Sequence, residues 1–356
     1  MNILKSQISL SLLIVLAFSI FYGCKDRVPD PELIIYEVRV KIRNILIANQ
    51  GTRGDGSLSI YKTFSEKVQL NEYDEVRTEV RHNVYQEANG EKLGSSLTAL
   101  TRIDNSYYFV LQDADKIIVT DTAFIKIGEI TDLKAPTQIY QVANGKAYVT
   151  SNTAKYLTVL DFISNTKDRV IGTVGVLTRG IVIDSSFIGL VPSQDVILEI
   201  NVTRDSVVNR ITQTGGLRSV FVDNENLARI YLDDFTTMAT WFKNNGENNF
   251  VGAVMRGRPR GLTYLSRDDK FYHLDANDNS IYVSEVAFQS SGRKLFAEVE
   301  VGEELHALGM DPTNGEAYAS YQIENADSTK VLRFSENGQL LNEFTVPSRT
   351  SNFFFP

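Results

Sequence analysis

Along residues 45–356, short apolar runs alternate with clusters of Asp, Asn, Gly, Ser and Thr. This pattern predicts many short β-strands joined by tight turns. No long stretch carries a 3.6-residue hydrophobic period, so the helices that an α/β alternation needs are not expected. The runs themselves repeat. LSIY (58–61), IIVT (117–120), LTVL (157–160), ILEI (197–200), MATW (238–241), IYVS (281–284) and VLRF (331–334) are spaced by 59, 40, 40, 41, 43 and 50 residues. A unit of about forty residues and four strands is the size of one propeller blade.

The unit is clearest between Thr137 and Val174, where TQIYQV, KAYVTS, YLTVLD and RVIGTV read as the innermost, second, third and outer strands. Equivalent innermost strands begin at Ser96, Thr137, Arg179, Arg218, Arg260 and His306. The expected fold is all-β: a seven-bladed β-propeller with a composite closing blade. Residues 45–80 supply three strands of that blade and the C-terminal SNFFFP (351–356) supplies the innermost one. Such closure removes open sheet edges. The long first spacing hides a polar insertion, roughly Glu72 to Lys92, expected as a loop.

The first residues belong to a different pattern. Lys5, an apolar run from Ile8 to Tyr22, Gly23 and the chain's single Cys, Cys24, have the layout of a signal peptide, too short for a stable membrane span. A Cys directly after such a stretch resembles a bacterial lipoprotein processing site, and the polar, Pro-containing KDRVPDPE (25–32) suits a tether. Residues 1–23 are therefore expected as a lipoprotein signal peptide, 24–44 as a lipid-anchored tether and lead-in, and 45–356 as the propeller. An ordinary secretory signal that ends near a Cys is the competing reading.

Composition narrows the chemistry. The 36 Lys and Arg against 44 Asp and Glu give a formal charge of −8, which argues against a nucleic-acid partner. At 43% hydrophobic and 22% charged residues the chain can bury a large core. One Cys and three scattered His exclude an internal disulfide framework and a His/Cys zinc cluster, so no metal is expected. No GxSxG, HExxH or P-loop appears, so no catalytic residue is assigned and no cofactor or enzyme activity is expected. The segment DANDN (275–279) lacks the Gly and distal Glu of an EF-hand and reads as a solvated turn.

The segments ILIANQGTRGDGSLSIY (45–61), NVYQEANGEKLGSSL (83–97) and APTQIYQVANGKAYVTS (135–151) together resemble a family of surface lipoprotein propellers from Bacteroidota, related to the YVTN-repeat propellers. That family includes cobalamin-binding lipoproteins that partner TonB-dependent outer-membrane transporters. The resemblance implies a protein lipidated on Cys24 and held at the outer membrane on the cell surface, capturing a small molecule such as cobalamin for a TonB-dependent transporter. Several acyl chains would anchor it stably, where one chain binds only marginally. Two other classes stay open: a scaffold for protein partners in an envelope complex, and an envelope lyase or dehydrogenase of the propeller type.

Candidate ligand contacts follow from the repeat. Arg179, Arg218, Arg260 and His306 stand at the start of four successive innermost strands, with Thr137 at the equivalent place, so they are expected to gather at one channel mouth. Guanidinium groups offer multidentate donors to phosphate or carbonyl oxygens. They equally tie down loop carbonyls or acids such as Asp184, Asp223 and Asp233. Loops between second and third strands carry Gln112, Asn152, Gln194, Asp233 and Tyr321, which suit an amide-rich ligand and are also ordinary turn residues.

The anchoring expectation has a direct check. Cys24→Ala should abolish metabolic palmitate labelling and release the protein from the membrane fraction; unchanged labelling and fractionation would refute it.

Overall fold

The computed structural model describes residues 40–356 apart from 52–53, 70–71, 214–215, 224–227, 233–236, 245–246, 255–258, 276–277, 286–292, 300–303 and 325. The expected signal peptide, Cys24 and most of the tether lie outside the described residues. By internal contacts the chain divides into two compact units, residues 1–41 with 66–74 and residues 42–65 with 75–356. The first is described only at strand ends, and the second holds the sheets and the core.

Strands β1 (Val40–Asn49), β2 (Ser57–Gln69) and β3 (Glu72–Arg81) precede a short helix, α1 (Val84–Asn89). Six groups of four consecutive strands come next along the chain: β4–β7 (97–130), β8–β11 (136–172), β12–β15 (179–212), β16–β19 (217–254), β20–β23 (259–297) and β24–β27 (305–347). The chain ends with β28 (Thr350–Phe354). Each group forms one four-stranded sheet in sequence order, and the remaining four-stranded sheet has the order β28-β1-β2-β3. The first strands of successive groups pack side by side, β4 on β8, β8 on β12 and β12 on β16, with β20 on β24 and β28 between β24 and β4. Between β16 and β20, Phe221 stacks on Tyr264 at 4.9 Å. The chain is an all-β β-propeller in which six blades are continuous in sequence.

Burial explains why these segments become strands. Second strands such as β5 (Ser106–Leu111) and β13 (Ser186–Val191) are buried on both faces, and so are continuous apolar runs, whereas the outer strand β11 (Thr166–Gly172) buries only Ile171. The core lies between sheets. Ile117, Val119 and Ile139 join β4–β7 to β8–β11, and Tyr148, Leu157 and Phe187 join β8–β11 to β12–β15. The aromatic residues fill these spaces, as with Tyr148 edge-on to Phe187 at 5.4 Å.

The composite sheet joins the chain ends. Leu46 pairs with Phe354, Ile47 with Phe353 and Ala48 with Asn352. Phe353 is buried, while Phe354 and Phe355 are half-buried rather than fully covered. A buried cation fixes this sheet to β24–β27: Arg333, 4% exposed, binds Glu316 through two nitrogens (2.7 and 2.9 Å) and reaches Tyr61 (3.1 Å) and Glu75 (3.0 Å) of the composite sheet. Burial alone would raise the Glu316 carboxyl, but Arg333 and the hydroxyl of Tyr318 hold it below its ordinary value.

Two expectations are corrected. The insertion Glu72–Lys92 is not a loop, since it supplies β3 and α1. Its charge misled the reading because an outer strand exposes its side chains: Glu75, Arg77, Thr78 and Glu79 all face solvent. Further, β1 begins at Val40, inside the expected lead-in.

Deleting residues 350–356 removes β28 and one fully and two partly buried Phe, so stability should fall by about 3–6 kcal/mol. A melting temperature equal to that of the intact chain would contradict this role for the C-terminal strand.

Candidate functional site

Innermost strands all begin at the same end of their sheets, the end that also carries the loops between second and third strands. Backbone register there separates residues that the sequence repeat aligned. Arg179 pairs with Leu190 and Arg260 with Leu274. Thr137, Arg218 and His306 instead fall between paired residues, at bulges bounded by Pro136/Gln138, Leu217/Ser219 and Leu305/Ala307. A bulge inserts one residue and turns its side chain differently from its paired neighbours. The five residues thus occupy two structural positions rather than one.

The described bulge side chains bond to their own second strand. Thr137 Oγ1 lies 2.8 Å from Thr150 Oγ1, and His306 Nε2 lies 3.3 Å from the Ser320 hydroxyl. Thr98 donates to the Val110 carbonyl (3.2 Å), and Ser351 donates to the carbonyls of Ala48 (3.1 Å) and Leu97 (2.8 Å). Four sheets therefore use this residue to tie down the bulge. Arg179 is exposed. The side chains of Arg218 and Arg260, and Asp233 altogether, lie outside the described residues.

Burial, with Arg349 nearby, lowers the His306 pKa to about 4, so the ring is neutral at pH 7. Among the loop candidates, Asn152 and Gln194 are exposed and Gln112 is half-buried, with its backbone N–H donating to the Ser96 carbonyl. Tyr321 is corrected: it belongs to a strand, Ala317–Gln322, pairs with Leu305 and packs against the core.

A cleft of about 240 Å³ opens at this same end of the sheets. The turn after β1 supplies Asp55 and Gly56, and the start of β2 supplies Ser57 and Leu58; α1 and its flanks supply Asn83, Tyr85, Gln86, Lys92 and Leu93; Asp327, Pro347 and Ser348 complete the wall. Glycine is required at 56, because a Cβ there would meet the Ser95 carbonyl oxygen at 2.1 Å, and at 51, where φ is +76°. Behind the wall, fully buried Asn49 donates to Ser57 Oγ (3.2 Å) and Ser59 Oγ (2.9 Å), and Ser59 lies 3.1 Å from His82 Nδ1. Burial lowers the His82 pKa, against a smaller opposing pull from Glu87. Helix α1 is docked by Asn89, which donates to the Phe124 carbonyl and accepts from the Lys126 N–H, both at 2.8 Å. Sequence reasoning missed this cleft because α1 sits in the supposed loop. The signal was VYQEAN followed by Gly90, whose left-handed backbone ends the helix.

His273 is a second neutral imidazole away from the cleft. It is fully buried between Phe271 and Tyr282, and neither ring nitrogen has a hydrogen-bond partner among the described residues. Burial, reinforced by Arg293, lowers its pKa to about 4. Among the described residues no group of three or more His, Cys, Asp or Glu could hold a metal ion, and no helix is long and apolar enough to cross a membrane.

No family model matches the sequence, and no curated protein matches it. Solved structures share the fold. A quinonprotein alcohol dehydrogenase-like protein from Bacteroides thetaiotaomicron aligns over 84% of this chain and 85% of its own at 13% identity, with a TM-score of 0.62. A putative 6-phosphogluconolactonase from Bacteroides uniformis aligns over 88% and 99% at 10% identity, TM-score 0.61. The Swd1 β-propeller domain from Myceliophteria thermophila aligns over 85% and 99% at 11% identity, TM-score 0.59. At such identities the likeness establishes the propeller fold alone.

Both imidazoles set an acid limit. An unfolded His binds a proton below about pH 6.5. The folded His273 refuses it down to about 4, so between these values the unfolded state holds more protons and stability falls as pH is lowered. For the fully buried His273 the loss reaches about 3 kcal/mol at pH 4. Thermal melts between pH 7 and 4 should show this decline, shallower in a His273→Phe variant; equal slopes for the two proteins would refute the assignment.

Proposed function

We propose that the chain is a non-enzymatic, cell-surface lipoprotein that captures a small molecule, for which a corrinoid is the leading candidate, and passes it to a TonB-dependent outer-membrane transporter. In this reading Cys24 carries the lipid anchor, and the β28-β1-β2-β3 sheet is the seventh blade that closes the ring. The position of β28 between β4 and β24 supports that closure. The observation that carries the binding role is the concentration of polar recognition groups at one end of the sheets. Exposed Arg179 and the loop residues Asn152 and Gln194 all belong to that end. A propeller face of this kind offers a broad platform to a large, amide-rich ligand.

Thr137 and His306 contribute to the platform as bulge anchors, and Arg179 is the contact assigned to the ligand. The resemblance of segments 45–61, 83–97 and 135–151 to cobalamin-binding surface lipoproteins supports the corrinoid. A scaffold role is favoured by a separate observation, the exposed Ile125, Ile127, Ile163, Val170, Leu340 and Leu341 on outer strands and turns.

Calorimetric titration of cyanocobalamin separates these readings. The wild-type protein should bind at micromolar ligand, and Arg179→Ala should weaken binding by about 1.5–3 kcal/mol, the range for a hydrogen bond to a charged group, with little change in melting temperature. No heat of binding to the wild type would remove the corrinoid and leave the scaffold reading ahead.

A further inference from the structure

The cleft beside α1 carries a recognition pattern that a corrinoid does not explain. At about 240 Å³ it is smaller than the pockets of about 300–1,000 Å³ that hold drug-sized ligands. It has room for about eight waters, or one ring of about a dozen heavy atoms. A corrinoid is far larger, so the cleft is a separate site.

Its hydrogen-bonding polarity is fixed from behind. Ser57 Oγ already accepts an amide hydrogen from Asn49, and Ser348 Oγ accepts the Gly51 N–H at 3.1 Å. Each hydroxyl has its own proton left to give, so the wall holds two preset donors. The same Asn49 amide also donates to Ser59 Oγ (2.9 Å), which lies 3.1 Å from His82 Nδ1. Opposite charges at the mouth already pair, Lys92 with Asp55 at 3.2 Å. The Asp327 carboxylate has no ion-pair partner among the described residues and is an acceptor. Half-buried Pro347 and the edge of Leu93 add an apolar surface.

An occupant must therefore accept from Ser57 and Ser348, donate to Asp327, and lay a hydrocarbon face on Pro347 and Leu93. An anion is repelled by Asp327. An ammonium ion leaves both hydroxyl donors without an acceptor, which costs free energy in a partly buried site. We propose that the cleft binds a neutral, hydroxyl-rich ring of monosaccharide size, whose hydroxyl groups both donate and accept and whose C–H face is apolar. The site does not depend on the corrinoid reading.

Saturation-transfer NMR on the full-length protein tests it, with methyl glycosides of glucose, galactose, mannose and N-acetylglucosamine at about 10 mM as probes. At least one glycoside should receive saturation. Ser57→Ala and Asp327→Ala should each weaken that binding about tenfold or more, the loss of one hydrogen bond to a polar or charged group, and leave cyanocobalamin titration unchanged. Asp327 is exposed, so Asp327→Ala keeps the test valid if Ser57→Ala lowers the melting temperature. No transfer to any of the four glycosides overturns the proposal, as does transfer equal in wild type and both variants. Asp327-dependent binding of spermidine in place of a sugar would also overturn it and make the cleft an amine site.

Discussion

The inner edge of β1 must find a partner, and the constraint falls on the two ends of the described chain. A sheet left with β1 innermost would expose a row of unpaired backbone groups, a template for aggregation. The pairing of Ile47 with Phe353 and Leu46 with Phe354 satisfies that row. Arg333 then locks the joined ends to the preceding blade through Glu316, Glu75 and Tyr61. A buried ion pair is weak evidence for net stability, because desolvation offsets its attraction, yet breaking one partner costs about 3–5 kcal/mol. Its value here lies in where it sits, at the seam that the chain ends create.

The same seam supplies the cleft. Ser348 stands just before β28, Asp55 and Gly56 connect β1 to β2, which opens with Ser57 and Leu58, and α1 follows β3, so most of the wall is the composite sheet or its immediate continuation, with Asp327 and Pro347 added by the neighbouring β24–β27 sheet. Continuous blades repeat one layout and give similar turns at that end. The composite sheet departs from the layout, with a long turn rich in Gly and an inserted helix, and there the surface becomes concave. The cleft and the pairing of the chain ends thus draw on the same irregularity.

Much of the fold was legible because propeller strands obey a strong rule: second and third strands are buried on both faces and read as apolar runs, as in SYYFVL and YLTVLD. Even the C-terminal strand announced itself through Phe353. The outer strand β3 was ambiguous, counted among the three strands of 45–80 yet also within the loop expected at 72–92, because its exposed charges resemble a solvated loop. The site was less legible for a finer reason. Sequence alignment counts residues, whereas side-chain direction depends on pairing, and the bulges at Thr98, Thr137 and His306 shift that count by one. Arg179 and His306 therefore looked equivalent and are not. The cleft needed contacts between segments nearly 300 residues apart, such as Gly51 with Ser348, which no local pattern encodes.

The placement of β28 also has a consequence for biogenesis. About 270 residues separate the end of β3 from the strand that completes its sheet. At synthesis rates of about 5–20 residues per second, the inner edge of β1 waits about 15–50 s for its partner. Sheets further along can form from local pairings in the meantime, while the inner edge of β1 stays adhesive until residues 350–354 emerge. Chain growth therefore sets the earliest moment of assembly, and a chaperone that masks strand edges would be needed most at the oldest part of the nascent protein.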